Sequence, residues 1–176
     1  MYHSSLKTYF LKTYFLKAVL LLSLSTISAT AQAGAADLQK TLQSYYAARD
    51  TAFMSKNVES VLVHYAPDFM GVSDAGKSHD LKEERADYLK TFALPAKSAI
   101  TQSTIEKLAL SKNGSVAAIT LHKHAILLFS DPQTGRNSVL VLDGRVQDTW
   151  TKRPAGWQLT HEVSSVITAT MNGKPL

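Results

Sequence analysis

An α+β fold is predicted by three observations: three helices in the first half, then a curved, mostly antiparallel sheet that they cover on one face. Up to Pro95, apart from a short strand and turn over 68–77, the apolar residues recur at helical spacing. From Ser98 onward they alternate with polar residues in four long runs. Turn sequences separate those runs, namely Asn113-Gly114, the loop from Asp131 to Arg136, and Pro154-Ala155-Gly156. Helical and strand patterns that are segregated along a chain describe helices packed on one side of a sheet.

Each element has a local cause. Leu38, Leu42, Tyr45, Arg49, Ala52 and Phe53 fall on one stripe of a first helix. Asn57 is a good N-cap for a second, with Val58, Val61, Leu62 and Tyr65 inward and Pro67 as its stop. Residues 68–73 read as a short strand and 74–77 as a turn. Asp80 and Glu83 resemble a capping box for a third helix, which carries Leu81, Arg85, Tyr88, Leu89 and Phe92 and ends before Pro95. Strands are expected over 99–111, 115–130, 137–152 and 157–170.

The N-terminus reads differently. Lys7, Lys12 and Lys17 precede the apolar run Ala18–Ile27, and small residues alternate around Ala29, Ala31 and Ala33. This is the pattern of a secretory signal peptide over residues 1–33, cleaved after Ala33 or Ala31. The apolar run is short for a span, which needs ~20 residues. The expectation is therefore a single domain over 34–176, periplasmic or secreted, with no membrane attachment after cleavage. Removing 1–33 takes three bases and no acid. Sixteen bases then face 14 acids, and the formal charge falls from +5 to +2. No basic run survives, so nucleic acid is not an expected partner. The chain has no cysteine, which excludes disulfides, thiol catalysis and Cys-based metal sites.

Alternation assigns faces to the last two strands. Trp157, Leu159, His161, Val163, Ser165 and Ile167 share the face read as core, and so do Leu140, Leu142, Val146, Asp148 and Trp150. If Thr151 lies opposite Gln158 at the turn, Asp148 lies opposite His161. Arg49 sits in the apolar stripe of the first helix, where a charge needs a partner; Asp148 and a ligand anion are the candidates. Tyr45, Tyr46 and Tyr88 would add hydroxyls to the same space, with Trp150 and Trp157 as walls. Such a cluster can satisfy itself structurally, can contact a ligand, or can perform acid–base chemistry through His161 oriented by Asp148. His122 and His124 share one face of a strand, but the opposite face is the more apolar. They are expected outside, and two imidazoles alone do not make a zinc site. No metal and no cofactor are expected.

Arg145-x-x-Asp148-x-Trp150, Gly156-Trp157-x-x-x-His161-x-x-x-Ser165 and His64-Tyr65-Ala66-Pro67-Asp68-Phe69 carry a resemblance. Over about residues 37–170 the chain resembles the nuclear-transport-factor-2-like superfamily, in its SnoaL-like, calmodulin-kinase-association-domain-like bacterial branch. The resemblance implies a cone-shaped fold, a pocket between the helices and the concave sheet, and dimerisation through the outer sheet face. The superfamily includes isomerases, dehydratases, hydrolases, cyclases and non-catalytic domains, so fold does not decide function. Val163 stands where the kinase-association branch often has a second His, and the Tyr/Asp/Asp set of the isomerases has no match. The leading expectation is an exported homodimer that binds a small organic molecule. One alternative is a cofactor-free isomerase, dehydratase or hydrolase using His161 and Asp148. Another is a protein-interaction module with a filled cavity.

Overall fold

A computed structural model describes residues 29–130 and 135–176. The basic and apolar stretch over 1–28 and most of the loop at 131–136 lie outside the described residues. The first helix, α1, runs Ala29–Met54. It passes through both expected cleavage points, and cleavage after Ala33 would leave it intact from Gly34. Its inward side buries Leu38, Leu42, Tyr46, Arg49 and Asp50, while Tyr45 and Phe53 are half-buried at the edges of the stripe. The second helix, α2, is one turn, Val58–Val61, with the Asn57 side chain accepting from the Ser60 amide at 3.1 Å. It is shorter than its apolar pattern suggests. Tyr65 does not belong to it but opens strand β1, Tyr65–Val72.

Pro67 therefore lies inside a strand rather than at a helix end. It is tolerated because β1 pairs with its neighbour irregularly between Tyr65 and Met70, where no ladder donor is missed. Strand β2, Ser78–Asp80, returns antiparallel on β1. Asp80 and Glu83 form the expected capping box of helix α3, Leu81–Phe92. The long strands follow: β3 Ala96–Leu110, β4 Val116–Ser130, β5 Asn137–Arg153 and β6 Gly156–Met171, with a short β7 at Lys174–Pro175. The sheet order is β2-β1-β6-β5-β4-β3, with β7 beside β6. The β1–β6 pair is parallel and makes the sheet mixed; the other pairs are antiparallel.

Helix α1 lies against edge strand β3, and its side chains complete that strand. Gln43 donates to the Ser103 carbonyl at 2.7 Å and accepts from the Ile105 amide at 3.0 Å. Asp50 accepts from the Ser103 amide at 2.7 Å and its hydroxyl at 2.8 Å. These groups would otherwise be an unpaired sheet edge, so helix docking and edge protection are one interaction. The apolar core lies between α1 and the sheet, around Leu42, Tyr46, Phe69, Ile119, Leu121 and Leu159.

The β5–β6 hairpin begins in the expected register. Arg153 pairs with Gly156, Thr151 with Gln158 and Trp150 with Leu159. One step further the ladder shifts. Thr149 pairs with His161 and Asp148 with Glu162, so Thr160 is an extra residue opposite the Trp150–Thr149 step. This is a β-bulge. The buried Thr160 hydroxyl anchors it by donating to the Thr149 carbonyl at 3.0 Å. An extra residue inverts parity beyond it, as far as a second register shift between Val146 and Arg145. His161 consequently points outward and is exposed, Val163 is 40% exposed, and Glu162 turns inward. The expected inward His161 and its pairing with Asp148 are corrected by this one residue.

Candidate functional site

Asp148 does face inward and is 1% exposed. Its partner is Tyr46, whose hydroxyl donates to Oδ2 at 2.6 Å and accepts from the Trp150 indole nitrogen at 2.8 Å. Oδ1 has no hydrogen-bond partner among the described residues. Burial first, and then the nearby Glu162 carboxylate, push the Asp148 carboxyl up to about 6 against the pull of Lys123, Arg49 and the Tyr46 bond. An acid with a raised folded pKa holds its proton more tightly when folded. Its stabilising contribution is full below the ordinary carboxylate range and is lost as pH rises through about 6. The stability difference between the wild type and Asp148→Asn should therefore fall between about pH 4 and about pH 7 in denaturant titrations. A difference that is flat or rising across that window contradicts the assignment.

Arg49, on the next turn of α1, lies over the Tyr46 ring with its guanidinium carbon 4.9 Å from the centroid. Its Nη1 donates at long range to the Tyr65 hydroxyl, 3.3 Å, and to Glu162, 3.5 Å. Its Nη2 has no hydrogen-bond partner among the described residues. Lys123, inward on β4, donates to both Glu162 oxygens at 3.1 Å. Burial raises the Glu162 carboxyl, but Lys123 and Arg49 outweigh it and hold the group below its usual range. The Tyr65 and Tyr88 hydroxyls lie 3.4 Å apart beside this centre.

A third polar group joins from β2 and α3. His79 Nε2 lies 2.8 Å from Glu84 Oε2, and burial and Glu162 raise the Glu84 carboxyl. The imidazole fits because its cross-strand partner is Gly71, where a Cβ would overlap the ring. Gly71→Ala should drive His79 off Glu84, shifting the His79 imidazole 15N resonances and costing about 1–2 kcal/mol. Unchanged His79 resonances in a folded variant would rule that packing out.

Arg49, Lys123 and Tyr88 of these groups line a cleft of ≈ 180 Å³ between helices α1 and α3 and strands β3, β4 and β5. Arg49, Asp50, Phe53 and Tyr88 line it from the helices; Thr101, Ser103, Lys123, Ala125, Leu142, Asp143, Gly144 and Val146 line it from the sheet. Of the sequence-predicted site residues, Arg49 and Tyr88 border this cleft. Tyr45, Tyr46 and Trp150 instead surround a void of only ≈ 10 Å³. There Tyr45 stacks on His64 with ring centroids 3.8 Å apart. Trp157 packs half-buried on the core. Asp148 joins the site as a buried group, and His161 does not join it.

Glu162, Lys123, His79 and Glu84 belong to the polar centre and Asp50 lines the cleft; none of the five was anticipated. Lys123 had a signal, since it lies on the apolar face of its own strand between Leu121 and Ala125. On the outer face, His122 and His124 hydrogen-bond the single carboxylate of Asp143 at 3.1 and 2.9 Å, and the two imidazoles hold that carboxyl low. Among the described residues no cluster of three or more His, Cys, Asp or Glu side chains has the geometry to hold a metal ion.

Helices on one face of a mixed six-strand path, with a cleft between the two layers, define the class. The chain has the cone-shaped α+β fold of the nuclear-transport-factor-2-like superfamily. It is similar to a superfamily protein from Salmonella enterica serovar Typhimurium, with TM-score 0.55 and 14% identity over 74% of this chain and 91% of that one. It is similar to a conserved protein from Planctomyces limnophilus, with TM-score 0.60 and 14% identity over 77% and 98%. A hexachlorocyclohexane dehydrochlorinase of type 2 is a further likeness, with TM-score 0.58 and 11% identity over 82% and 93%. Identities this low define the fold and leave activity open. No family model and no curated protein matches the sequence.

Proposed function

We propose that this chain is an exported domain that binds a small organic molecule in the cleft between α1, α3 and the sheet. The observation that carries the reading is Arg49. A guanidinium with one nitrogen unpartnered among the described residues lines an open cleft whose other walls are largely apolar. A concave, mostly apolar site with a few convergent polar groups is the usual form of a ligand pocket. The open volume also disfavours a purely structural module with a filled cavity. Export rests on the basic and apolar pattern of residues 1–33. Homodimerisation through the outer sheet face is supported by Ile100 and Val139, 59% and 36% exposed on that face.

The test is native mass spectrometry of protein purified from its own host, beside an Ala125→Trp variant that fills the cleft. A retained small molecule on a dimer of processed chains is expected, and the variant should lose it. Retention at equal occupancy in the variant would place the ligand elsewhere, and a full-length monomeric mass would remove export and dimerisation.

A second reading, a cofactor-free acid–base enzyme, draws on the Asp148 carboxyl near 6 and the His79–Glu84 pair. It moves the acid–base role away from His161. Turnover of a candidate substrate that Asp148→Asn abolishes without weakening binding would favour it over binding alone.

A further inference from the structure

We infer that the ligand of this cleft is a small organic carboxylate. Its apolar body is no larger than one aromatic ring, and its carboxylate is held between Arg49 and Lys123. This rests on the reading that the cleft binds a small molecule, and it adds the ligand's charge and size.

The charge follows from the donors. Arg49 is 9% exposed, Nη1 makes two long contacts, and Nη2 makes none among the described residues. A guanidinium offers five donors in a planar fork that matches a carboxylate. A buried charge so poorly paired carries a desolvation penalty that an incoming acceptor relieves. Lys123 lies against the same Glu162, so two cations share one carboxylate. Of the other carboxylates, Asp148 keeps Oδ1 unpartnered among the described residues, but its hydrogen bond runs to Tyr46 and burial favours its neutral form, while Asp50 and Asp143 are engaged elsewhere. Asp50 accepts from the Ser103 amide, the Ser103 hydroxyl and the Thr101 hydroxyl, all neutral donors. Asp143 is held by His122 and His124. A ligand anion entering the cleft would be met by the part-exposed Lys123 ammonium and by the charge of the adjoining Arg49 guanidinium.

The size follows from the volume. An apolar cavity of about 150 Å³ takes a benzene ring, and this cleft is ≈ 180 Å³. Phe53, Ala125, Leu142 and Val146 give one ring or a short chain its apolar contact, which leaves room for a single polar head.

The experiment titrates the 15N-labelled protein with benzoate and with its neutral isostere benzamide, reading the amides of Ser103 and Gly144. Benzoate should bind at least about fivefold more tightly than benzamide, the range expected of one charge-assisted hydrogen bond. Lys123→Gln and Arg49→Lys should each erase most of that preference, bringing the benzoate and benzamide affinities of the variant close together. Lys123→Gln, at a side chain 30% exposed, carries the test if Arg49→Lys does not fold. Equal affinity for the two probes, or a preference intact in every folded variant, overturns the carboxylate assignment and leaves small-molecule binding standing. If neither probe shifts a cleft amide at millimolar concentration, both the assignment and the binding reading fall.

Discussion

Glu162→Ala lowers the unfolding free energy by about 3–5 kcal/mol, while His161→Ala, one residue away, changes it by no more than about 0.5 kcal/mol. The contrast comes from the bulge at Thr160. Glu162, with a side chain 14% exposed, is the only carboxylate bonded to Arg49 and Lys123 among the described residues. Its removal leaves two cations in a largely buried site without their shared anion, and the cost of breaking such a pair is dominated by the unpaired charge. His161 lies on the outer face, where truncation removes little packing. Chemical denaturation of the two variants reads the difference directly. Comparable losses, or a larger loss at His161, would mean that the parity of β6 is not inverted. Glu162→Gln should fall between, because the amide oxygen still accepts from Lys123 while the charge is gone.

Asp50→Ala is the second large effect, about 2–4 kcal/mol, because it strands two buried donors of Ser103 at once. Ser103 is 3% exposed, so water does not readily replace the lost carboxylate. The loss should be local as well as global. Amide exchange at Ser103 should accelerate more than at Ile105, whose amide is bonded to Gln43 instead. Asp50→Asn retains one acceptor and should cost roughly half as much. Uniform acceleration along β3, or a loss below about 0.5 kcal/mol, would show that α1 docks through its apolar stripe alone and that the edge bonds are incidental.

Much of the architecture was legible because it follows from periodicity and punctuation. The Asn57 cap, the Asp80–Glu83 box, the Asn113-Gly114 turn and the four long strands are local signals, and each lies close to where the sequence places it. Strand β1 was half hidden, because Tyr65 continues an apolar spacing that suits a helix, and the parallel pairing to β6 is a long-range contact. The site was legible only in part. Inward Asp148 and buried Arg49 follow from face assignment, and both lie where that assignment puts them. The Asp148–His161 pair fails because alternation assumes an unbroken ladder. A bulge at Thr160 has no glycine to announce it, and one unpaired residue exchanges His161 for Glu162. The cleft itself depends on the spacing between α1, α3 and β4, which no local pattern encodes.

The most direct test is the cross-strand register of β5 and β6 in solution, read from backbone nuclear Overhauser contacts across the hairpin. Contacts are expected between Trp150 and Leu159, then between Thr149 and His161 and between Asp148 and Glu162, with Thr160 lacking a cross-strand partner. Contacts between Asp148 and His161, continuing the register of Thr151 and Gln158 without a break, would contradict it and return His161 to the interior.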